Sequence, residues 1–347
     1  MSDFLPHLIR QVQANCDRAD ARSAQQFTLC TYLLKMREFY RWRQGLGFSA
    51  TLQKRELNHW IVDHEELWED LEEQEFEPIS IQGKRFDPYD QEALGGLLAA
   101  EGFVYNGGLG AKSWPHFFLA ELEREETIDG VACLVAGKEL ARGMVAPPAF
   151  KQGERIYLRR DTLRFWVHAK VEEWQFKKRD NPMARALLGF NLESALDESV
   201  ENLTERILPW VLRHELGEVE MGRRLGPAWG EMLSDLGRSP TELVARTARD
   251  LAADSLCVLP QLIESGDNVA LHWYFGNHQG MPTTLWPGLQ AAYEEFKLKG
   301  ELQGLANEAA SGAQRWPQLC QKILASHQSQ DPWKEPELAA ALKLSLP

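Results

Sequence analysis

The sequence lacks the features of a membrane or secreted protein. No segment of its 347 residues offers the run of about 18 consecutive apolar residues from which a membrane-spanning helix is built. The first twenty residues also lack the positive start, apolar run and cleavage site of a signal peptide. We therefore expect a cytoplasmic protein that does not bind membranes.

The sequence has fewer positively charged than negatively charged residues. Lys and Arg number 38 against 51 Asp and Glu, which gives a formal net charge of -13. Such a chain repels phosphate backbones, so we expect no nucleic-acid partner. A small molecule, a peptide or another protein remains as substrate or partner.

Cysteine is scarce and scattered. The five cysteines form no CxxC pair, which disfavours a zinc knuckle or a redox motif, and their odd number disfavours a disulfide framework. We expect buried free thiols in a reducing compartment. The positions are Cys16, Cys30, Cys133, Cys257 and Cys320.

Common nucleotide and nucleophile motifs are also missing. No GxSxG elbow and no GxGxxG turn follows a predicted strand. The segment NGGLGAKS at 106–113 has a lysine before a serine, but Ala111 stands where a phosphate loop requires glycine. It predicts a tight turn, with an anion-binding turn as the alternative.

Helical periodicity dominates what is present. Residues 27–43 place Leu29, Leu33, Met36 and Tyr40 on one face, which predicts a helix. A second helix is predicted to start near residue 49 or 51 and to run through an acidic segment with a stripe of apolar residues and one histidine. The stripe consists of Leu57, Ile61, His64, Trp68 and Leu71.

The β content is predicted to be small and local. A strand at 103–106, a helix opening at Pro115, and one or two short strands between 128 and 160 are expected. The fold is therefore predicted to be mainly α, with two helical domains at residues 1–178 and 179–347 and a small β element around 100–160. The second domain is expected to contain a long helix, straight or bent at Pro209, and a loop over 265–288.

The most specific chemical motif is HELGE at 214–218. It resembles the HExxH helix of zinc metallopeptidases, with glutamate in place of the second histidine. Residues four apart share one helical face, so His214 and Glu218 are placed to bind one metal while Glu215 acts as general base. The resemblance implies a third acidic ligand on a later helix, for which Asp250 and Asp254 are candidates. Zinc or iron is the implied ion.

The helix around this motif buries its charged residues. Glu215 and Glu218 fall within an apolar arc, where ionisable groups require a partner. A metal is one such partner and nearby arginines are the other. The arc is Val200, Leu203, Ile207, Leu208, Val211 and Val219, and the arginines are Arg206, Arg223, Arg224, Arg246 and Arg249.

Other histidines are weaker candidates. His64 lies near Glu65 and Glu72 on its helix, and His272 and His278 lie in the predicted loop. A solvated acidic face and ordinary hydrogen-bonded histidines are the simpler interpretations. The paired ExxH motifs of di-iron bundles are absent.

Three segments together are similar to an uncharacterised family of bacterial proteins. They are CTYLLKMREFYRWRQG, APPAFKQGERIYLRRD and HELGE. The resemblance implies an N-terminal and a C-terminal domain and carries no activity.

Three functional hypotheses follow from these residues. The first is a metal-dependent, peptidase-like hydrolase that uses the HExxE helix. The second is a non-enzymatic helical protein that binds a partner through surfaces rich in tryptophan, with HELGE as a structural polar cluster. The third is a helical iron oxidase, which requires a second cluster such as His64 and Glu65 in the same cavity.

Overall fold

The computed structural model describes residues 4–110 and 114–329. The chain forms two compact units, one of residues 1–170 and 191–204, the other of residues 171–190 and 205–347. The prediction of a mainly α fold with its β structure in the N-terminal half is confirmed. The domain boundary at residue 178 stays a prediction.

The N-terminal unit contains a five-stranded sheet, against which α1 and α4 pack. The strands are β1 Ile79–Ile81, β2 Lys84–Phe86, β3 Phe103–Leu109, β4 Pro115–Ile128, β5 Val131–Arg142, β6 Ala149–Gln152 and β7 Arg155–Arg159. The sheet order is β3-β4-β5-β7-β6, and only the β5–β7 pair is parallel, while β1 and β2 form a separate antiparallel pair. The helices are α1 Phe4–Ser23, α2 Leu29–Arg43, α3 Lys54–Leu71, α4 Gln91–Ala100 and α5 Arg160–Lys177, of which residues 171–177 belong to the other unit.

The predicted helix at Pro115 is wrong, because this segment is strand β4. Phe118 pairs with Asn106 of β3 on one side and with Arg142 of β5 on the other. The four residues 117–120 are all buried, so both faces of the strand are covered. A continuous apolar run of this kind fits a buried strand and a buried helix equally well. Residues 111–113 of the glycine-rich segment lie outside the described residues.

Two of the predicted helices are confirmed as α2 and α3, but the predicted apolar face of α2 is only partly buried. The Thr28 side chain accepts a hydrogen bond from the backbone N–H of Thr31 and so caps α2. Met36 is buried as predicted, but Leu29 and Leu33 are 70% and 45% exposed. The apolar face of α2 is therefore only half covered.

The described residues of the C-terminal unit form helices and the connections between them, with no strand. Its core is built on tryptophans and other large side chains, among them Trp286 and Trp316. Helix α7, which begins within the 191–204 segment, runs through Pro209 without interruption. The helices are α6 Pro182–Ala186, α7 Leu196–Leu225, α8 Ala228–Leu236, α9 Pro240–Ala253, α10 Leu259–Ser265, α11 Asn268–Asn277, α12 Met281–Leu285, α13 Pro287–Lys299 and α14 Gln303–Gln328.

The predicted loop over 265–288 is wrong, because it contains α11 and α12. The Asp267 side chain accepts hydrogen bonds from the backbone N–H groups of Val269 and Ala270 and so starts α11. The tertiary core then buries Trp273, Tyr274 and Phe275. Burial of these aromatic side chains overrides the local turn signals of glycine and proline.

Within the described residues no cysteine forms a disulfide bond, as predicted, but not all of the cysteines are buried. Cys16, Cys133 and Cys320 are buried, Cys257 is partly buried and Cys30 is exposed. Among the described residues, no helix has the length and apolar character needed to cross a membrane.

Candidate metal site

The HELGE motif on α7 lies in very close contact with the end of α9. A Cβ atom added at Gly217 would lie 2.6 Å from the carbonyl oxygen of Ala253. Only a residue without a side chain permits that approach. Gly217 therefore explains how His214 and Glu218 of α7 come within reach of the acidic residues of α9.

His214 is held by carboxylates through both ring nitrogens. Its Nδ1 lies 2.8 Å from Oδ1 of Asp254, and its Nε2 lies 3.6 Å from Oε1 of Glu218. The hydroxyl of Tyr274 donates to the other oxygen of Asp254 at 2.9 Å. The ring of His214 is thus oriented by a chain of hydrogen bonds from α11.

Three of the predicted ligands converge. One ligand atom each from His214, Glu218 and Asp250 lie within 4.8 Å of one another. Asp254, which was also predicted as a ligand, instead lies against the Nδ1 of His214. The side chains of His214 and Glu218 are 28% and 26% exposed, so an ion has access from solvent.

Arg249 shares the same space. Its Nη2 donates to Oε1 of Glu218 at 2.7 Å and lies 3.5 Å from Oδ1 of Asp250. Of the arginines considered from the sequence, Arg206 and Arg246 pair with other acids. A metal at Glu218 would have to compete with the Arg249 guanidinium.

At His214 and at Asp250, burial and the strongest neighbouring charges act on the pKa in opposite directions. Burial alone would lower the pKa of His214, but the hydrogen bonds and charges of Asp254 and Glu218 outweigh it and raise that pKa well above its ordinary value. Burial raises the pKa of Asp250 to about 6 despite the nearby Arg249. Without a metal, His214 is therefore an imidazolium between two carboxylates.

Glu215 differs from its neighbours because it accepts no hydrogen bond from any residue that the structure describes. Burial and the charge of Glu218 raise the pKa of Glu215 to about 7. Glu215 directly follows His214 on the same helix, and its side chain is half-buried. Within the described part of the chain, Glu215 is the acid of the cluster that forms neither a hydrogen bond nor an ion pair.

The secondary histidines have ordinary partners. His64 lies 3.9 Å from the Trp60 ring, centre to centre, and burial lowers its pKa to about 4. Nδ1 of His272 bonds to the hydroxyl of Tyr293 at 2.8 Å. Within the described residues, neither belongs to a group of three ligands that could hold an ion.

His278 stacks on Tyr274, with ring centres 5.6 Å apart, and the charge of Asp254 partly offsets the burial that lowers the pKa of His278. Tyr274 itself was not predicted as part of the site, nor was the π-helical turn Asp254–Val258 that follows α9. Pro260 lacks a backbone N–H and comes just after this turn, which is the one sequence signal for it. The contact between Tyr274 and Asp254 is tertiary and has no spacing signature.

These features define a mainly helical protein of two units with a histidine and carboxylate cluster in the second. The chain belongs to a family of unknown function, DUF6866. The model of its N-terminal domain matches residues 7–159, and the model of its C-terminal domain matches residues 164–344. No curated protein and no solved structure matches the chain.

Proposed function

We propose that the protein is a metal-dependent hydrolase, peptidase-like in its use of an HExxE helix, with His214, Glu218 and Asp250 as ligands of one divalent ion. The observation that carries this proposal is the convergence of their three ligand atoms within 4.8 Å. One nitrogen and two carboxylate donors suit zinc or iron. Three protein ligands leave a coordination position for water, as catalytic zinc sites require.

Asp254 supports the site as a positioning residue. By accepting from Nδ1 of His214 it fixes the tautomer that directs Nε2 to the ion. Tyr274 fixes Asp254 in turn. To hold an ion, His214 would give up the proton on Nε2 and Glu218 would give up its bond to Arg249.

Glu215 is proposed as the general base. The ion, when bound, polarises a water and the substrate carbonyl. Glu215 takes the proton of that water as its oxygen attacks the carbonyl carbon, and it gives the proton to the leaving nitrogen when the C–N bond breaks. The Glu215 carboxylate is available for this because no described residue holds it.

Metal content and activity test the proposal together. We expect a near-stoichiometric transition metal in protein purified without chelators, and loss of that metal in the double variant His214→Ala, Glu218→Ala. Glu220→Ala is the matched control, because Glu220 lies on the same helix and pairs only with Arg224 among the described residues. Glu215→Gln should keep the metal and lose hydrolysis of a peptide library.

A structural polar cluster is the second candidate function of these residues. The observation that favours it is the 2.7 Å bond from Arg249 to Glu218, which already neutralises one ligand. In that case the protein binds a partner and has no metal. A metal-free wild type that resists reconstitution, with a double variant that only loses stability, would establish this alternative.

The lack of disulfides supports the further proposal that the protein works in the cytoplasm. Within the described residues, none of the five cysteines forms a disulfide bond, which is the usual state in a reducing compartment. Iron in place of zinc would leave the proposed ligands unchanged. No observation at His64 or Glu65 supports the helical iron oxidase, which needs a second cluster.

A further inference from the structure

A separate cavity of about 420 Å³ opens in the N-terminal unit. It lies where the end of α1 and the 3₁₀ turn Ala24–Gln26 meet the first turn of α2 and the second half of α3. This volume lies within the range of small-molecule sites. The wall contains Phe27, Leu29, Tyr32 and Trp68, and the rim contains Glu65, Glu69 and Glu72.

The three rim carboxylates are not neutralised. None of Glu65, Glu69 and Glu72 forms an ion pair with a residue that the structure describes, and Glu65 only accepts a hydrogen bond from the hydroxyl of Tyr32 at 2.9 Å. The nearby Arg22 donates instead to the backbone carbonyls of Glu72 and Gln74. Three carboxylates therefore line one cavity without an ion-pair partner among the described residues.

One ring of the aromatic wall already contacts an ammonium group of the protein itself. Nζ of Lys35 lies 5.3 Å from the centre of the Phe27 ring, which is the distance of a cation–π contact. Trp68 lines the same cavity and is otherwise buried, with 5% of its surface exposed.

The carboxylates also have a defined spacing. Positions 65, 69 and 72 lie on one face of α3 and, at the rise of an α-helix, extend over roughly 10 Å. A linear chain with several ammonium groups separated by a few methylenes has charges at intervals of this size. Its methylenes match the apolar wall, and its charges match the acidic rim.

We propose that this cavity binds a linear alkylpolyamine. Small metal cations require oxygen donors that converge on one point, and within the described residues these three glutamates do not form such a group. Anions are repelled by the three glutamates. Aromatic faces beside carboxylates are the chemistry that recognises an organic ammonium.

Calorimetric titration of the whole protein with spermidine tests the proposal. The double variant Glu69→Gln, Glu72→Gln should weaken spermidine binding roughly tenfold, since two partly shielded ion pairs are lost. The matched control Glu66→Gln, Glu73→Gln removes the same charge from exposed positions that do not line the cavity, and it should change the affinity less than about twofold. Both variants should unfold at the wild-type temperature.

Three results would overturn the proposal. If the affinity for spermidine fell equally in the two variants, spermidine would be attracted only by the net charge of -13 and not by this cavity. Displacement of spermidine by an equal concentration of Mg²⁺ would make the rim a metal site. Tighter binding of a lysine-rich peptide than of spermidine would assign the cavity to a protein partner. These results are independent of the metal content at His214.

Discussion

The contact of Gly217 with α9 makes a quantitative prediction for Gly217→Ala. The new Cβ would lie 2.8 Å and 2.9 Å from the backbone Cα and C of Ala253, where carbon atoms normally stay about 3.5–4.0 Å apart. Because these neighbours are backbone atoms, no side chain can rotate away. The two helices must separate by roughly 0.7 Å, and overpacking of this kind costs about 1–3 kcal/mol.

Gly222→Ala is the matched control for this prediction. It lies on the same helix, and an added Cβ meets nothing within 4 Å. Both substitutions gain the same helix propensity, about 1 kcal/mol, so the difference between them isolates the cost of the contact.

Urea unfolding should therefore show Gly217→Ala less stable than Gly222→Ala by about 1–3 kcal/mol. The Gly217→Ala variant should also lose metal affinity, because α9 moves away from His214. Equal stability of the two variants would refute the inference that the two helices meet at Gly217.

Three further predictions concern charged residues. Asp254→Asn should weaken metal binding by about 10-fold to 100-fold in a folded protein, because it no longer orients His214; unchanged affinity in a competition titration would make Asp254 irrelevant to the site. Arg249→Gln should strengthen metal binding severalfold while it destabilises the metal-free protein, because Glu218 is released; weaker metal binding would contradict the competition. Burial raises the pKa of Asp20 to about 7, so the folded state binds a proton that the unfolded state releases near its ordinary value. The free energy of unfolding should fall by up to about 4 kcal/mol between roughly pH 4 and pH 7 from this group, and Asp20→Asn should flatten that slope; parallel pH profiles would refute this.

Periodic signals explain how much of the fold was predictable. Amphipathic stripes predicted α2, α3 and α7, because a helix that covers a core repeats its apolar residues with the helical period. Strand β4 was mistaken for a helix because residues 117–120 are buried on both faces and show no alternation. Helix α11 was mistaken for a loop because its start depends on the Asp267 cap and its stability on the core around Trp273.

The site was predictable in its local part only. The spacing of HELGE placed His214 and Glu218 on one face, and Asp250 and Asp254 were found as a second pair with the same spacing. Which of the two aspartates converges with His214 and Glu218 depends on how α7 and α9 cross. That crossing depends on the close contact at Gly217, and Asp254 itself begins the π-helical turn that follows α9. Neither feature has a signature in helical periodicity.

Anomalous diffraction from crystals grown with zinc tests the central claim most directly. We predict one peak at about 2.0–2.2 Å from Nε2 of His214 and from carboxylate oxygens of Glu218 and Asp250, with Arg249 displaced from Glu218. A peak elsewhere, or no peak while Arg249 keeps its bond to Glu218, would contradict the metal site and leave the cluster as a structural ion pair.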